Sequence, residues 1–136
     1  MTENIAPLPL RQRAVQAALG KIPFDRLLIN ANVIDMVTGE IREADVGITG
    51  NMIASVHPRG KFSQAENVDD LTGRYLSPGL IDTHVHIESS HLSPEKYAGI
   101  VVGQGTTTVF WDPHELANVL GVAGVQRDAG QAVVPT

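Results

Sequence analysis

The residues of this chain best suited to chemistry are His84 and His86, separated by Val85 at the end of the run Ser77-Pro78-Gly79-Leu80-Ile81-Asp82-Thr83. Side chains at i and i+2 of a β-strand leave the same face, so both imidazoles can reach one divalent cation. Four of the five histidines fall between positions 84 and 114, and Glu88, Asp112 and His114 add oxygen and nitrogen donors expected on the same sheet edge. That clustering favours a metal site over a rim of hydrated histidines. Asp82 shares the strand face of the pair and either orients a ligand histidine through a hydrogen bond or caps the strand entry. Glu88 has three readings: a substrate contact, a metal ligand or a solvated side chain. Asp112 and His114 read either as a turn that opens a helix or as functional groups at the carboxyl end of a strand, where parallel sheets collect their chemistry. His57, beside Pro58, reads as a surface residue.

Rival motifs fail on single positions. His86-Ile87-Glu88 matches the first half of the zinc deaminase signature, but the second half needs two cysteines and the chain has none. His114-Glu115 would open a zincin helix, yet Asn118 stands where the second histidine must fall. Gly103-Gln104-Gly105 has the first two glycines of a dinucleotide loop, but Thr108 replaces the third and a strand follows, so it reads as a helix stop.

The elements that must position these groups follow from patterning. The chain has 136 residues, 43% of them hydrophobic, and a net charge of -5, which describes a globular segment with a modest core. No basic stripe is present for nucleic acid or an anionic membrane, so neither is expected as a partner. Charged residues interrupt the first twenty positions, which excludes an export signal by composition, and no run approaches the ~18 apolar residues of a membrane helix. With the missing cysteines this points to the cytoplasm. Residues 1–20 read as a leader with a short helix over Leu10 to Leu19. Residues 21–77 read as a β-rich, sandwich-type segment with strands at Leu27 to Ile29, Asn32 to Val37, Asp45 to Thr49 and Met52 to Val56.

From residue 78 to 136 the pattern becomes strand, helix, strand, helix, the alternation of βα units on a parallel sheet. Strands are expected at Leu80 to His86 and Thr106 to Trp111. A helix is expected from Pro94 to Val102, with Ser93 as N-cap, Pro94 at the first helical position and Glu95 at the positive end of the helix dipole. A second helix is expected from near Leu116 toward Ala132. From Gly79 onward there are 58 residues (136 minus 78), enough for two βα units, whereas a closed eight-stranded barrel needs ~250. The fold class expected is therefore α/β: two opening units of an incomplete barrel, preceded by the β-rich segment.

The stretch Ser77 to His86 resembles the first barrel strand of the amidohydrolase superfamily. His86-Ile87-Glu88-Ser89-Ser90, Gly105-Thr106-Thr107-Thr108 and Asp112-Pro113-His114-Glu115-Leu116-Ala117-Asn118-Val119-Leu120-Gly121 are similar to its adenine-deaminating bacterial branch. The likeness also covers Phe24 to Tyr75. It implies a TIM-like metal-dependent hydrolase barrel that converts adenine to hypoxanthine and ammonia, of which this is the N-terminal part and inactive alone. It further implies a divalent metal, commonly manganese, with iron or zinc as alternatives, and a full-length homo-oligomer whose substrate is a small molecule. His84 and His86 match the first two metal ligands. Glu88, Asp112 and His114 become candidates for substrate contact or proton relay, and Asp82 for support of a ligand. Cyclic-amide hydrolases often carry a basic residue where Glu88 stands, which argues against their chemistry. They remain the enzyme alternative, beside a truncated product without catalysis.

Overall fold

The computed structural model describes residues 8–129. They form two compact units, Met1–Pro78 and Gly79–Thr136.

In the first unit the helix α1 (Leu10–Ala18) buries Ala14 and Ala17, small side chains one turn apart that let its backbone approach β2 and β3 closely. The sheet is built around β1 (Phe24–Ile34), which pairs antiparallel with β2 (Ile41–Thr49), itself joined antiparallel to β3 (Met52–His57). On its other edge β1 pairs in parallel with β4 (Ala65–Asp70) and then β5 (Tyr75–Leu76). The core cluster is Ala17, Phe24 and Leu27, with Ile22, Ile29, Ala54, Phe62 and Ala65 packed around it.

Four expectations change here. The strands expected at Leu27 to Ile29 and Asn32 to Val37 join into one strand, carried through a bulge between Leu28 and Ala31 and ending at Ile34, short of Val37. Asn30 sits at φ 61°, a conformation asparagine tolerates, and the bulge is held because its N–H donates to Asp45 Oδ1 at 2.8 Å. Asp45 is buried and takes the Gly60 N–H on its other oxygen at 2.7 Å. Strands β4 and β5 had no counterpart in the sequence pattern. In place of a sandwich, the described residues of this unit form one five-stranded sheet with α1 against it. His57 is buried, not on the surface: it stacks on Phe24 at 6.1 Å and meets the edge of Phe62 at 4.7 Å.

In the second unit β6 (Leu80–Val85) and β7 (Thr106–Trp111) pair in parallel, connected by a 3-10 turn at Ile87–Ser90 and by α2 (Pro94–Gly103). The Ser93 hydroxyl caps α2 by accepting the Lys96 N–H at 3.4 Å, with Pro94 in the first turn. Gly105, at φ 95°, lets the chain turn from α2 directly into β7. Helix α3 (His114–Ala129) starts two residues earlier than expected and is kinked at Gly121, where φ 65° and ψ -170° break the helical run. Its expected end near Ala132 lies outside the described residues.

Candidate metal centre

The site gathers at the carboxyl ends of β6 and β7. Pairing carries Val85 opposite Trp111, and the Asp112 N–H continues the ladder by donating to the Val85 carbonyl at 3.0 Å. Asp112 is thereby set beside the two histidines that flank Val85. One donor atom each from His84, His86 and Asp112 lie within 4.8 Å of one another. Ligands about 2.1 Å from one ion in tetrahedral geometry stand about 3.4 Å apart, so side-chain adjustments on the order of an ångström would close the trio on a cation. Two imidazoles and a carboxylate form a donor set suited to a first-row divalent metal.

Second partners orient each member. His86 Nδ1 is 3.0 Å from the Asp112 carbonyl oxygen. A carbonyl only accepts, so Nδ1 carries a proton and Nε2 is the nitrogen left to face a metal. The His84 and His86 rings stand 4.9 Å apart between centroids, and His84 Nε2 is 3.8 Å from Asp112 Oδ2. His114 Nδ1 lies 3.1 Å from the same Oδ2, and its ring is 4.8 Å from that of His86. The Asp112 carboxyl is held below the ordinary carboxylate range, chiefly by the hydrogen bond to His114, with the charges of His114 and His86 adding to it against a smaller burial effect. It is therefore an anion at neutral pH.

The remaining candidates are placed differently. Asp82 Oδ1 accepts the backbone N–H of His84 at 3.1 Å, so it holds the main chain of the histidine and not its ring. Glu88 stands outside the trio and has both oxygens engaged: Oε2 accepts Trp111 Nε1–H at 2.8 Å and Oε1 accepts the Leu116 N–H at 3.2 Å. Burial pushes the Glu88 carboxyl up, but those two hydrogen bonds, its own N–H and the nearby His86 outweigh it and the net shift is downward. Sequence reasoning passed over Trp111. Its only signal was its place directly before Asp112. A cleft of about 390 Å³ lies alongside, lined by Ile87, Glu88, Leu92, Pro94, Trp111 and Leu116 among others.

Residues 75–133 match the amidohydrolase family. An adenine deaminase of Serratia proteamaculans is 68% identical over 126 residues, 93% of this chain and 21% of that protein. One from Klebsiella pneumoniae is 72% identical over 117 residues, 86% of this chain and 19% of that protein. The chain thus spans about a fifth of the length of these relatives. Among solved structures, a D-aminoacylase is 37% identical at a TM-score of 0.54, covering 64% of this chain and 18% of that one. A further D-aminoacylase structure with the same identity and TM-score concerns that enzyme's binuclear metal centre. An L-hydantoinase from Arthrobacter aurescens, 24% identical at a TM-score of 0.52 over 66% of this chain and 21% of that one, shares the fold. Over the matched residues the chain is similar to amidohydrolases of TIM-barrel-type α/β fold, and His84, His86 and Asp112 form a group that could hold a divalent metal.

Proposed function

We propose, from the premise that residues 75–133 are an amidohydrolase segment, that the chain opens the barrel of an enzyme that hydrolyses adenine to hypoxanthine and ammonia. On this reading residues 78–136 supply its first two βα units, and residues 21–77 belong to a flanking β-rich domain. The observation that carries the metal chemistry is the convergence of His84, His86 and Asp112 within 4.8 Å. The choice of adenine rests on the relatives: the deaminases are 68% and 72% identical over most of the chain, whereas the D-aminoacylase is 37% identical over 64% of it.

His84 and His86 would hold the cation through ring nitrogens, with Asp112 as the third donor or as the group that keeps both rings in place. The reading takes manganese as the metal. A divalent cation bound there would supply Lewis acidity, bringing the pKa of water well below its bulk value so that hydroxide would be accessible near neutral pH. Water adds at C6 of adenine, the bond from C6 to the amino nitrogen breaks, and that nitrogen leaves as ammonia once protonated. Asp112 and His114, 3.1 Å apart, form a carboxylate–imidazole pair of the kind that can take a proton from water and return it to the leaving nitrogen. Glu88 is already committed to Trp111 and Leu116, so the relay falls to that pair.

The test is turnover by the intact protein supplied with manganese, against adenine, a hydantoin, dihydroorotate and an N-acyl-D-amino acid. Hypoxanthine and ammonia in equal amounts, with the other substrates untouched, is the expected result. Preference for an amide substrate would replace the adenine reading, and no turnover of any of the four would remove it.

A further inference from the structure

Glu88 follows the metal-site histidines by two positions, yet its carboxylate points to the other strand. Oε2 accepts the indole N–H of Trp111 at 2.8 Å and Oε1 accepts the backbone N–H of Leu116 at 3.2 Å. Trp111 ends β7 immediately before Asp112, and Leu116 lies in the first turn of α3, two residues after His114. The carboxylate therefore grips the segment that carries Asp112 and His114 at both its ends.

We infer that Glu88 is a positioning residue: its carboxylate clamps the chain on either side of Asp112 and His114 and so holds Asp112 beside the imidazoles of His84 and His86. This rests on the metal-site reading above. The clamp crosses from the turn that follows the histidine pair to the turn that follows β7, the span that must stay fixed if donors from two strands are to share one ion. Two further bonds join these points, Asp112 N–H to the Val85 carbonyl at 3.0 Å and His86 Nδ1 to the Asp112 carbonyl at 3.0 Å. Ser89, one residue on, adds a weaker tie, its hydroxyl lying 3.3 Å from both Glu115 oxygens. An ionised carboxylate suits two donors at once, since each oxygen accepts without offering a hydrogen. A glutamine in its place has one accepting oxygen and one donating NH2, so it can serve Trp111 or Leu116 but not both.

Manganese affinity of the intact protein, titrated with the ion alone, tests the clamp. Loss of a group that orients metal ligands costs ~10- to 100-fold in affinity, and Glu88→Ala is expected in that range. Trp111→Phe keeps the ring and removes only the N–H donor, so a loss of roughly 3- to 10-fold is expected, with Glu88→Gln between the two. Because indole and carboxylate act through one bond, Glu88→Ala with Trp111→Phe should bind no more weakly than Glu88→Ala alone. Additive losses would make Glu88 a direct ligand and overturn the clamp, as would unchanged affinity in variants whose thermal midpoint has dropped. Should Glu88→Ala fail to fold, Glu88→Gln and Trp111→Phe carry the same comparison. A wild-type protein that binds no manganese would sink the metal reading itself, and the clamp with it. Normal wild-type binding with insensitive variants would sink the clamp alone.

Discussion

The unit Met1–Pro78 is held by side chains and the unit Gly79–Thr136 by its backbone. Among the described residues, the buried hydrophobic positions of the first are Ala14, Ala17, Phe24, Leu27, Ala31, Ala44 and Val46, while the second has Ile87. The second instead exposes large apolar side chains on both of its strands, such as Leu80, Ile81 and Phe110. Parallel strands in α/β folds are covered on both faces, so such residues are of the type that belongs inside a larger assembly of βα units. The unit with the core carries no metal cluster among its described residues, and the unit with the donors carries little core. Chemistry and stability are thereby assigned to different parts of the molecule. Substitutions in one should leave the other's readout in place.

The largest effect expected from this division is on the chemical side. His86→Ala removes a proposed ligand and also the Nδ1–H bond to the Asp112 carbonyl, a side-chain tie between the two strand ends. Its cost in manganese affinity should exceed the ~10- to 100-fold typical of losing an outer partner, with adenine turnover falling alongside. Hydrogen exchange of the amides in β1 and β2 should not change. Faster exchange there would break the division, because it would show the metal site sustaining the sheet of the first unit.

A smaller effect is expected from the other side. Gly47 lies on β2 with the Phe24 ring directly over it, and a methyl group added there would overlap that ring. Overpacking of this kind costs typically ~1–3 kcal/mol. Gly47→Ala should lower the denaturant midpoint of the first unit by a corresponding amount and leave manganese affinity within error. Equal stability to wild type would mean that Phe24 repacks freely and that the core is looser than its burial indicates.

The sequence was legible where signals are local. Ser93 with Pro94 marked the start of α2 because a cap acts within one turn. The β-branched run Thr106 to Val109 marked β7 because it is intrinsically suited to an extended strand. The placement of His84, His86 and Asp112 needed only strand parity and the habit of parallel sheets of collecting function at their carboxyl ends. Three features depended on partners far along the chain and left little trace. Strand β4, Ala-Glu-Asn-Val-Asp-Asp, has no alternating apolar pattern and forms because β1 offers a free edge. The bulge that fuses the two expected strands into β1 is set by Asp45, fifteen residues from Asn30. Glu88 finds Trp111 across a separation of 23 residues, so its commitment to a clamp could not be told from a role in substrate contact.

The smallest effect expected is a pH dependence confined to the first unit. His57 is 4% exposed, stacked on Phe24 and edge-on to Phe62, with Nδ1 3.0 Å from the Ser55 hydroxyl and Nε2 without a hydrogen-bond partner among the described residues. Burial lowers its pKa below 6.5, and the charge of Lys61 pushes the same way while that of Asp45 opposes both. The folded state therefore prefers neutral imidazole, and the unfolded chain binds the proton more readily. This contribution to stability is present above pH 6.5 and is lost as pH falls below that value toward the lower folded pKa. In His57→Phe, denaturant titrations at pH 7.5 and 5.5 should differ less than in wild type. The aromatic replacement keeps the stack and has no proton to bind, so the variant isolates titration from packing. An undiminished difference would locate the pH dependence outside His57, the second unit holding the other four histidines of the sequence. Acid sensitivity would then belong to the chemical unit, and the separation of chemistry from stability would hold for packing but not for charge.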